Sequence, residues 1–312
     1  MFLLEVTSEQ IFQQALNGVS KGAVYALIAV GYTMVYGVLQ LINFAHGEVY
    51  MLGAYFAYYP AKWAGYIPDE GGEKPKVPLY FIGVCILFSM AACAAIGMLI
   101  ERLAYRPLRN ASRLAALITA IGVSLLLQNG SQIMFGSDPK YFPRFMDRES
   151  VQLGMFDVSN TQVTIMVVAA VAMIGLHLFV QKTKPGMAMR AVSFDMRTAR
   201  LMGVNVDGTI ALTFAIGSIM ASIGGVLIAM DQPRLTPLMG LLMGLKAFVA
   251  AVLGGIGSIP GAALGGLILG IAESVVGTWS TTYADAVAFV ILILVLLVKP
   301  SGLLGKTGRE KV

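Results

Sequence analysis

The chain has 312 residues, of which 57% are hydrophobic and only 12% charged, with a mean hydropathy of +0.77. A soluble domain of this size needs roughly a quarter of its residues charged, so lipid must cover much of this surface instead. The formal net charge of +5 does not indicate nucleic acid, because the basic residues gather in loops beside apolar runs, which is a topology signal.

Residues 1–10 hold Glu5 and Glu9 but no Lys or Arg. A secretory signal has a basic start and a small-residue cleavage site, so the first apolar stretch is expected to be retained. The apolar stretches then run over residues 11–41, 47–66, 77–100, 114–135, 161–180, 209–230, 241–255, 261–279 and 284–298. Most are long enough at about 1.5 Å per residue to cross about 30 Å of hydrocarbon. The seventh is short and runs into Gly254-Gly255-Ile256-Gly257-Ser258-Ile259-Pro260-Gly261, which cannot continue a regular helix. It reads as a discontinuous or tightly turned span, and replacing Gly257 by Leu there is expected to fail through steric conflict. The fold class is therefore all-α, a polytopic transmembrane helix bundle of eight or nine spans, forming one domain over residues 1–312. Gly is abundant at 35 residues, which suits close helix contact in lipid. Cys85 and Cys93 read as small packing residues, since no spacing supports a disulfide or metal site.

Orientation follows from Lys and Arg. Three segments are basic: residues 101–113 with Arg102, Arg106, Arg109 and Arg113; residues 182–207 with Lys182, Lys184, Arg190, Arg197 and Arg200; and the tail with Lys299, Lys306, Arg309 and Lys311. The loops around Asp69–Lys76 and Asp138–Asp157 mix signs. The positive-inside rule places the basic segments in the cytoplasm. With nine crossings the amino terminus lies outside and the carboxyl terminus inside. Spans one and two then enter from outside, and spans six and seven from inside, as in an inverted repeat.

Polar groups enter the apolar runs at a few places. Asn43-Phe44-Ala45-His46-Gly47-Glu48 joins the first two spans. It reads either as a surface hairpin with Asn43 capping and His46 solvated, or as a pathway or gating segment, because ionisable groups near hydrocarbon need partners or water. Lys246 and Glu273, in spans seven and eight, would pair if those spans pack. His177 reads as interfacial, and Gln128, Asn129 and Ser131 as hydrogen-bonding groups between helices. Gly305-Lys306-Thr307 resembles the end of a phosphate-binding loop, but Pro300 stands where its first Gly belongs. No metal site, hydrolase elbow or zinc-protease pair is present in the sequence, so the chain is expected not to be an enzyme and not to hydrolyse ATP. In the 182–207 loop, residues 188–202 favour one helix stopped by Gly203, with Arg190, Phe194, Arg197 and Leu201 on one row. A mixed apolar and basic row fits docking to a cytoplasmic partner, or contact with lipid headgroups.

Gly186-Met187-Ala188-Met189-Arg190-Ala191, with Asp195, Ala199 and Gly203 after it, resembles the coupling loop of ABC-importer permeases. Leu39-Gln40-Leu41-Ile42-Asn43-Phe44-Ala45-His46-Gly47-Glu48, Lys246-Ala247-Phe248 through Ala262, and Lys299-Pro300-Ser301-Gly302-Leu303-Leu304-Gly305 resemble the branched-chain amino acid permease family, closest to its LivH-type subunit. The resemblance spans nearly the full length. It implies a bacterial inner-membrane subunit that forms a pathway for Leu, Ile or Val with a homologous LivM-type permease. Two cytoplasmic ATPases of the LivG and LivF type would use ATP and Mg, and a periplasmic substrate-binding protein would deliver the amino acid. The chain itself would hold no cofactor. Arg190, Asp195, Ala199 and Gly203 match the ATPase-coupling segment; Asn43, Phe44, His46 and Glu48 match a pathway or gate motif. The alternatives are a permease for urea, amides or other amino acids, and an ion-coupled secondary transporter, for which Glu273 is the main candidate group.

Overall fold

The computed structural model describes residues 8–67, 77–109, 111–146, 149–153 and 156–305. The mixed-sign group Asp69, Glu70, Glu73, Lys74 and Lys76, the tail cations Lys306, Arg309 and Lys311, and Glu5 lie outside the described residues. The nine apolar stretches become nine helices: α1 (Ser8–Leu39), α2 (His46–Trp63), α3 (Leu79–Ile100), α4 (Arg113–Phe135), α5 (Asn160–Lys182), then α8 (Val206–Asp231), α9 (Met239–Gly254), α10 (Ile259–Gly277) and α11 (Thr281–Val298). Between α5 and α8 lie two short helices, α6 (Lys184–Phe194) and α7 (Met196–Leu201). Among the described residues, six helices are long and apolar enough to cross a membrane, and α9 and α11 are shorter apolar helices. The bundle is all-α apart from two small antiparallel ribbons. In one, β1 (Lys140–Tyr141) pairs with β4 (Arg234–Leu235), and in the other β2 (Ser150–Leu153) pairs with β3 (Phe156–Ser159).

Side-chain caps set most of the helix starts, as backbone amides in or near lipid demand. Ser112 accepts from the Ala115 amide at α4, and Ser159 forms a capping box with Gln162 at α5. Thr183, Asp195, Asn205 and Ser258 cap α6, α7, α8 and α10. The Asp195 cap corrects the expectation of one helix over 188–202. Asp is a strong N-cap and a poor helix interior residue, so the chain breaks there at φ −157° and restarts. The row from Arg190 to Leu201 is thus split between two helices.

α1 and α8 cross at the centre and run antiparallel: Gly224 lies against Val24 and Ile28, and Gly217 against Gly31 and Val35. Packing around them repeats with a two-fold exchange. α1 packs on α10 as α8 packs on α3; α1 on α9 as α8 on α2; α2 on α3 as α9 on α10; and α2 on α4 as α9 on α11. That is the relationship an inverted repeat produces. Cys85 and Cys93 are fully buried and unpaired. Ser89 donates to the Gly53 carbonyl at 2.6 Å and lies 2.7 Å from the Ser222 hydroxyl, joining α2, α3 and α8. Asn129 instead donates to Leu125 in its own helix at 2.8 Å, so it does not serve as interhelical glue.

The turn after α9 is closed by the chain's last described segment. The Leu303 and Leu304 amides donate to the Leu253 and Gly254 carbonyls, each at 2.9 Å, which satisfies the open end of α9. Gly255 packs directly on the backbone of Gly302 and Gly305. Gly257 differs: a Cβ there would meet nothing within 4 Å, yet its φ is +97°. A side chain's first carbon therefore has room, and the constraint the structure shows is left-handed backbone. Gly257→Leu should cost about 1–2 kcal/mol, and Gly257→Asn, which tolerates that conformation, clearly less. Thermal unfolding in detergent checks this; equal melting temperatures for the two variants would refute it.

Candidate functional site

The 40–45 turn delivers His46 and Glu48 into the middle of the bundle. α2 begins at His46 with no side-chain cap, and the His46 amide bonds the Asn43 carbonyl at 3.0 Å. Asn43 is therefore not a side-chain cap. It is buried, and its Oδ1 accepts from the Tyr105 hydroxyl at 3.2 Å. His46 is not solvated either. Its ring sits edge-on to Tyr32 at 4.7 Å, with Nε2 in the space a side chain at Gly31 would take. Glu48 is 0% exposed. The Ser124 hydroxyl of α4 donates to its Oε1 at 3.3 Å, and Oε2 lies against Gly240 of α9. Among the described residues, His46 Nε2 and Glu48 Oε2 have no hydrogen-bond partner. Phe44 is half-buried beside Phe248, with ring centroids 6.0 Å apart. The surface-hairpin reading therefore fails for this segment, since its polar groups lie where α1, α2, α8 and α9 meet.

A second polar cluster joins α1, α9, α10 and α11. Lys246 Nζ lies 3.0 Å from Glu273 Oε1 and 2.6 Å from Asp285 Oδ1. The Tyr25 hydroxyl donates to Glu273 Oε2 at 2.9 Å, and the Lys246 ammonium stands 5.9 Å from the Tyr25 ring centroid. The Lys246–Glu273 pair is the one the sequence suggested. Asp285 and Tyr25 were missed. The available signal for Asp285 was a lone carboxylate near the start of an otherwise apolar run.

The first two basic segments meet at one end of the bundle. Arg106 and Arg109 both pair with Asp207, and Arg109 also pairs with Glu101. These contacts tie the end of α3 to the start of α8. On α6, Met189 and Val192 are buried, and Gly186 sits too close to the Phe179 and Val180 backbone for a side chain. Arg190 is exposed and donates to the Gln181 side chain at 2.6 Å. Asp195 accepts from the Thr198 hydroxyl at 2.6 Å and the Arg197 amide at 2.8 Å; these bonds, the Thr198 hydroxyl foremost, hold its carboxyl below the usual range. Ala199 is buried, and Gly203 takes φ +83° to end the unit. Asp195, Ala199 and Gly203 therefore shape the loop. Its outer face is apolar, with Phe194 93% and Leu201 86% exposed. Met187 and Met202 are exposed as well.

Comparison with known proteins agrees with this arrangement. The family described as branched-chain amino acid transport system / permease component matches residues 14–296. The chain is 46% identical over 305 residues to the high-affinity branched-chain amino acid transport system permease protein LivH of Escherichia coli strain K12, covering 96% of this chain and 97% of that one. It is 45% identical over 306 residues to the corresponding protein BraD of Pseudomonas aeruginosa, with the same coverage of each. A probable LivH of Methanocaldococcus jannaschii is 29% identical, over 91% of this chain and 89% of its own. With a polytopic helical bundle and a family match over nearly its whole length, the chain belongs to the branched-chain amino acid transport permease family, whose members are membrane transport components rather than enzymes.

Proposed function

We propose that the chain is one permease half of a bacterial ABC importer and carries leucine, isoleucine and valine inward. A homologous LivM-type permease completes the pathway. Two LivG/LivF-type ATPases use ATP and Mg beneath it, and a periplasmic binding protein delivers the amino acid. Residues 1–312 act as a single permease domain, with 182–207 as its coupling loop. The positive-inside rule puts the arginine-rich end in the cytoplasm, with the amino terminus outside and the carboxyl terminus inside.

The observation that carries this reading is the outer face of α6 and α7. Phe194 and Leu201 stand almost fully exposed beside Arg197 and Arg200, on the loop whose Asp207 pairs with Arg106 and Arg109. An apolar plug ringed by cations suits a protein partner, the apolar part giving affinity and the charges orientation. Asp195, Ala199 and Gly203 hold this face in shape, and Arg190 ties it to α5, so push or pull on the loop reaches the bundle as a rigid-body shift. Asn43, Phe44, His46 and Glu48 are assigned to the pathway or gate. Their location at the crossing of the two halves supports that role, because alternating access rocks one half against the other. Glu273, on which an ion-coupled mechanism would rest, is instead held by Lys246 and Tyr25.

Two measurements test the proposal. Vesicles holding the assembled complex should take up leucine with ATP and the binding protein present, and should not respond to an ion gradient alone; gradient-driven uptake without ATP refutes it. Arg190→Glu combined with Arg197→Glu should reduce ATPase co-purification by on the order of tenfold, as expected for loss of charge-oriented contacts, while the bundle stays folded. Wild-type ATPase binding together with normal uptake refutes the docking assignment.

A further inference from the structure

Where α1 ends and α4 begins, the structure leaves a chamber of about 380 Å³, within the roughly 300–1,000 Å³ range of small-ligand sites. Its wall consists of Tyr36, Gln40, Leu41, Ile42, Ala116 and Leu117, with Leu114 at the rim. It opens at the surface of the bundle, where Leu114 and Leu117 are exposed. The wall is mostly aliphatic with two polar side chains, the composition of a site that holds an apolar group and orients a polar one.

Gln40 is unusual in its backbone. It has φ +55°, the one positive value at a non-glycine residue among the described residues. Its amide closes α1 onto the Tyr36 carbonyl at 2.7 Å, and its side chain is exposed. A left-handed Gln is unfavourable by on the order of 1 kcal/mol. The strained residue thus carries an amide on the chamber wall, where a Gly would take the same turn freely.

The chemistry of the wall matches one kind of solute. A branched aliphatic side chain fits Leu41, Ile42 and Leu117. The amide of Gln40 donates to a carboxylate and accepts from an ammonium. The chamber lies between the C-terminal end of α1 and the N-terminal end of α4. The lining holds no charged side chain, so a solute of zero net charge suits it.

We propose that this chamber receives the branched aliphatic amino acid at the cytoplasmic end of its path, with Gln40 orienting its charged groups and Leu41, Ile42 and Leu117 holding its side chain. This rests on the transport reading above and adds to it a specific place along the route. Gln40 is a specificity-determining residue here, and the second permease would close the open side.

The test uses the assembled transporter with both permeases, the ATPases and the binding protein in vesicles. Leu117→Trp fills the chamber and should lower L-leucine uptake by at least about tenfold, with ATPase attachment unchanged. Gln40→Ala should lower it by on the order of tenfold, and Gln40→Asn, which keeps the amide and tolerates the backbone, by less. Independently of uptake, Leu117→Cys should react with N-ethylmaleimide, Cys85 and Cys93 being buried, and L-leucine should slow that reaction while urea does not. Uptake by Leu117→Trp at the wild-type rate overturns the proposal, as does loss of uptake without leucine protection of the thiol. Wild-type vesicles that take up no leucine overturn the transport reading and the assigned solute together, whereas normal wild-type uptake beside unaffected variants overturns the chamber alone.

Discussion

Lys246→Met is expected to destabilise the folded bundle by about 3–5 kcal/mol, because it strands Glu273 as a buried charge without its cation. Lys246 and Glu273 expose only 3% and 8% of their side chains. Their desolvation has already occurred on folding, and the attraction between them offsets it. Glu273→Met should be milder, since Asp285 still reaches Lys246 and is 55% exposed to its surroundings. The double variant Lys246→Met with Glu273→Met should recover much of the loss, as buried ion pairs replaced by apolar side chains of similar volume often do. Thermal unfolding of all three variants closes a double-mutant cycle. A double variant no more stable than Lys246→Met alone would show that the pair does not act as a unit. The position of the cluster explains its value: it joins α1, α9, α10 and α11, helices otherwise held by apolar packing that lipid tails can imitate.

The sequence was informative where lipid imposes a strict rule and less so where local geometry decides. The nine apolar stretches match nine helices to within a few residues, because unsatisfied backbone in hydrocarbon is so unfavourable that spans must be helical. The Lys246–Glu273 pair was legible for the same reason: an ionisable group in a span needs a partner. Asp285 was not, since a carboxylate near a helix start also fits solvent. The polar run at 43–48 suited a surface turn as well as a pathway segment, and only the packing of α1, α8 and α9 around it shows that His46 and Glu48 are buried. At Asp195, helix formers on both sides concealed a cap that stops one helix and starts the next. Gly257 was singled out for its neighbours, yet φ is what constrains it; composition alone cannot separate a glycine needed for space from one needed for its backbone.

The second large effect is expected at the contact between α1 and α10. Gly18 and Gly22 stand four residues apart on α1, and Gly266 and Gly270 four apart on α10. This small-xxx-small spacing brings two backbones together without side chains between them. A Cβ at Gly18 would come within 2.6 Å of the Ile271 Cα, and one at Gly22 within 2.8 Å of the Leu267 Cα. Because the colliding atoms are backbone, no rotamer change relieves the overlap and the helices must part. Gly22→Leu and Gly270→Leu are therefore each expected to exceed the about 1–3 kcal/mol usual for overpacking, and to remove most of the protein from the monodisperse fraction after detergent extraction. Separating these helices would also pull Tyr25 from Glu273, so Gly22→Leu combined with Lys246→Met should be less than additive. Gly122→Leu on α4, where a Cβ meets nothing within 4 Å, is the control and should extract and melt like the unaltered chain. If Gly22→Leu melts like Gly122→Leu, then α1 and α10 are not in backbone contact, and the shared frame that places Tyr25 beside Glu273 is wrong as well.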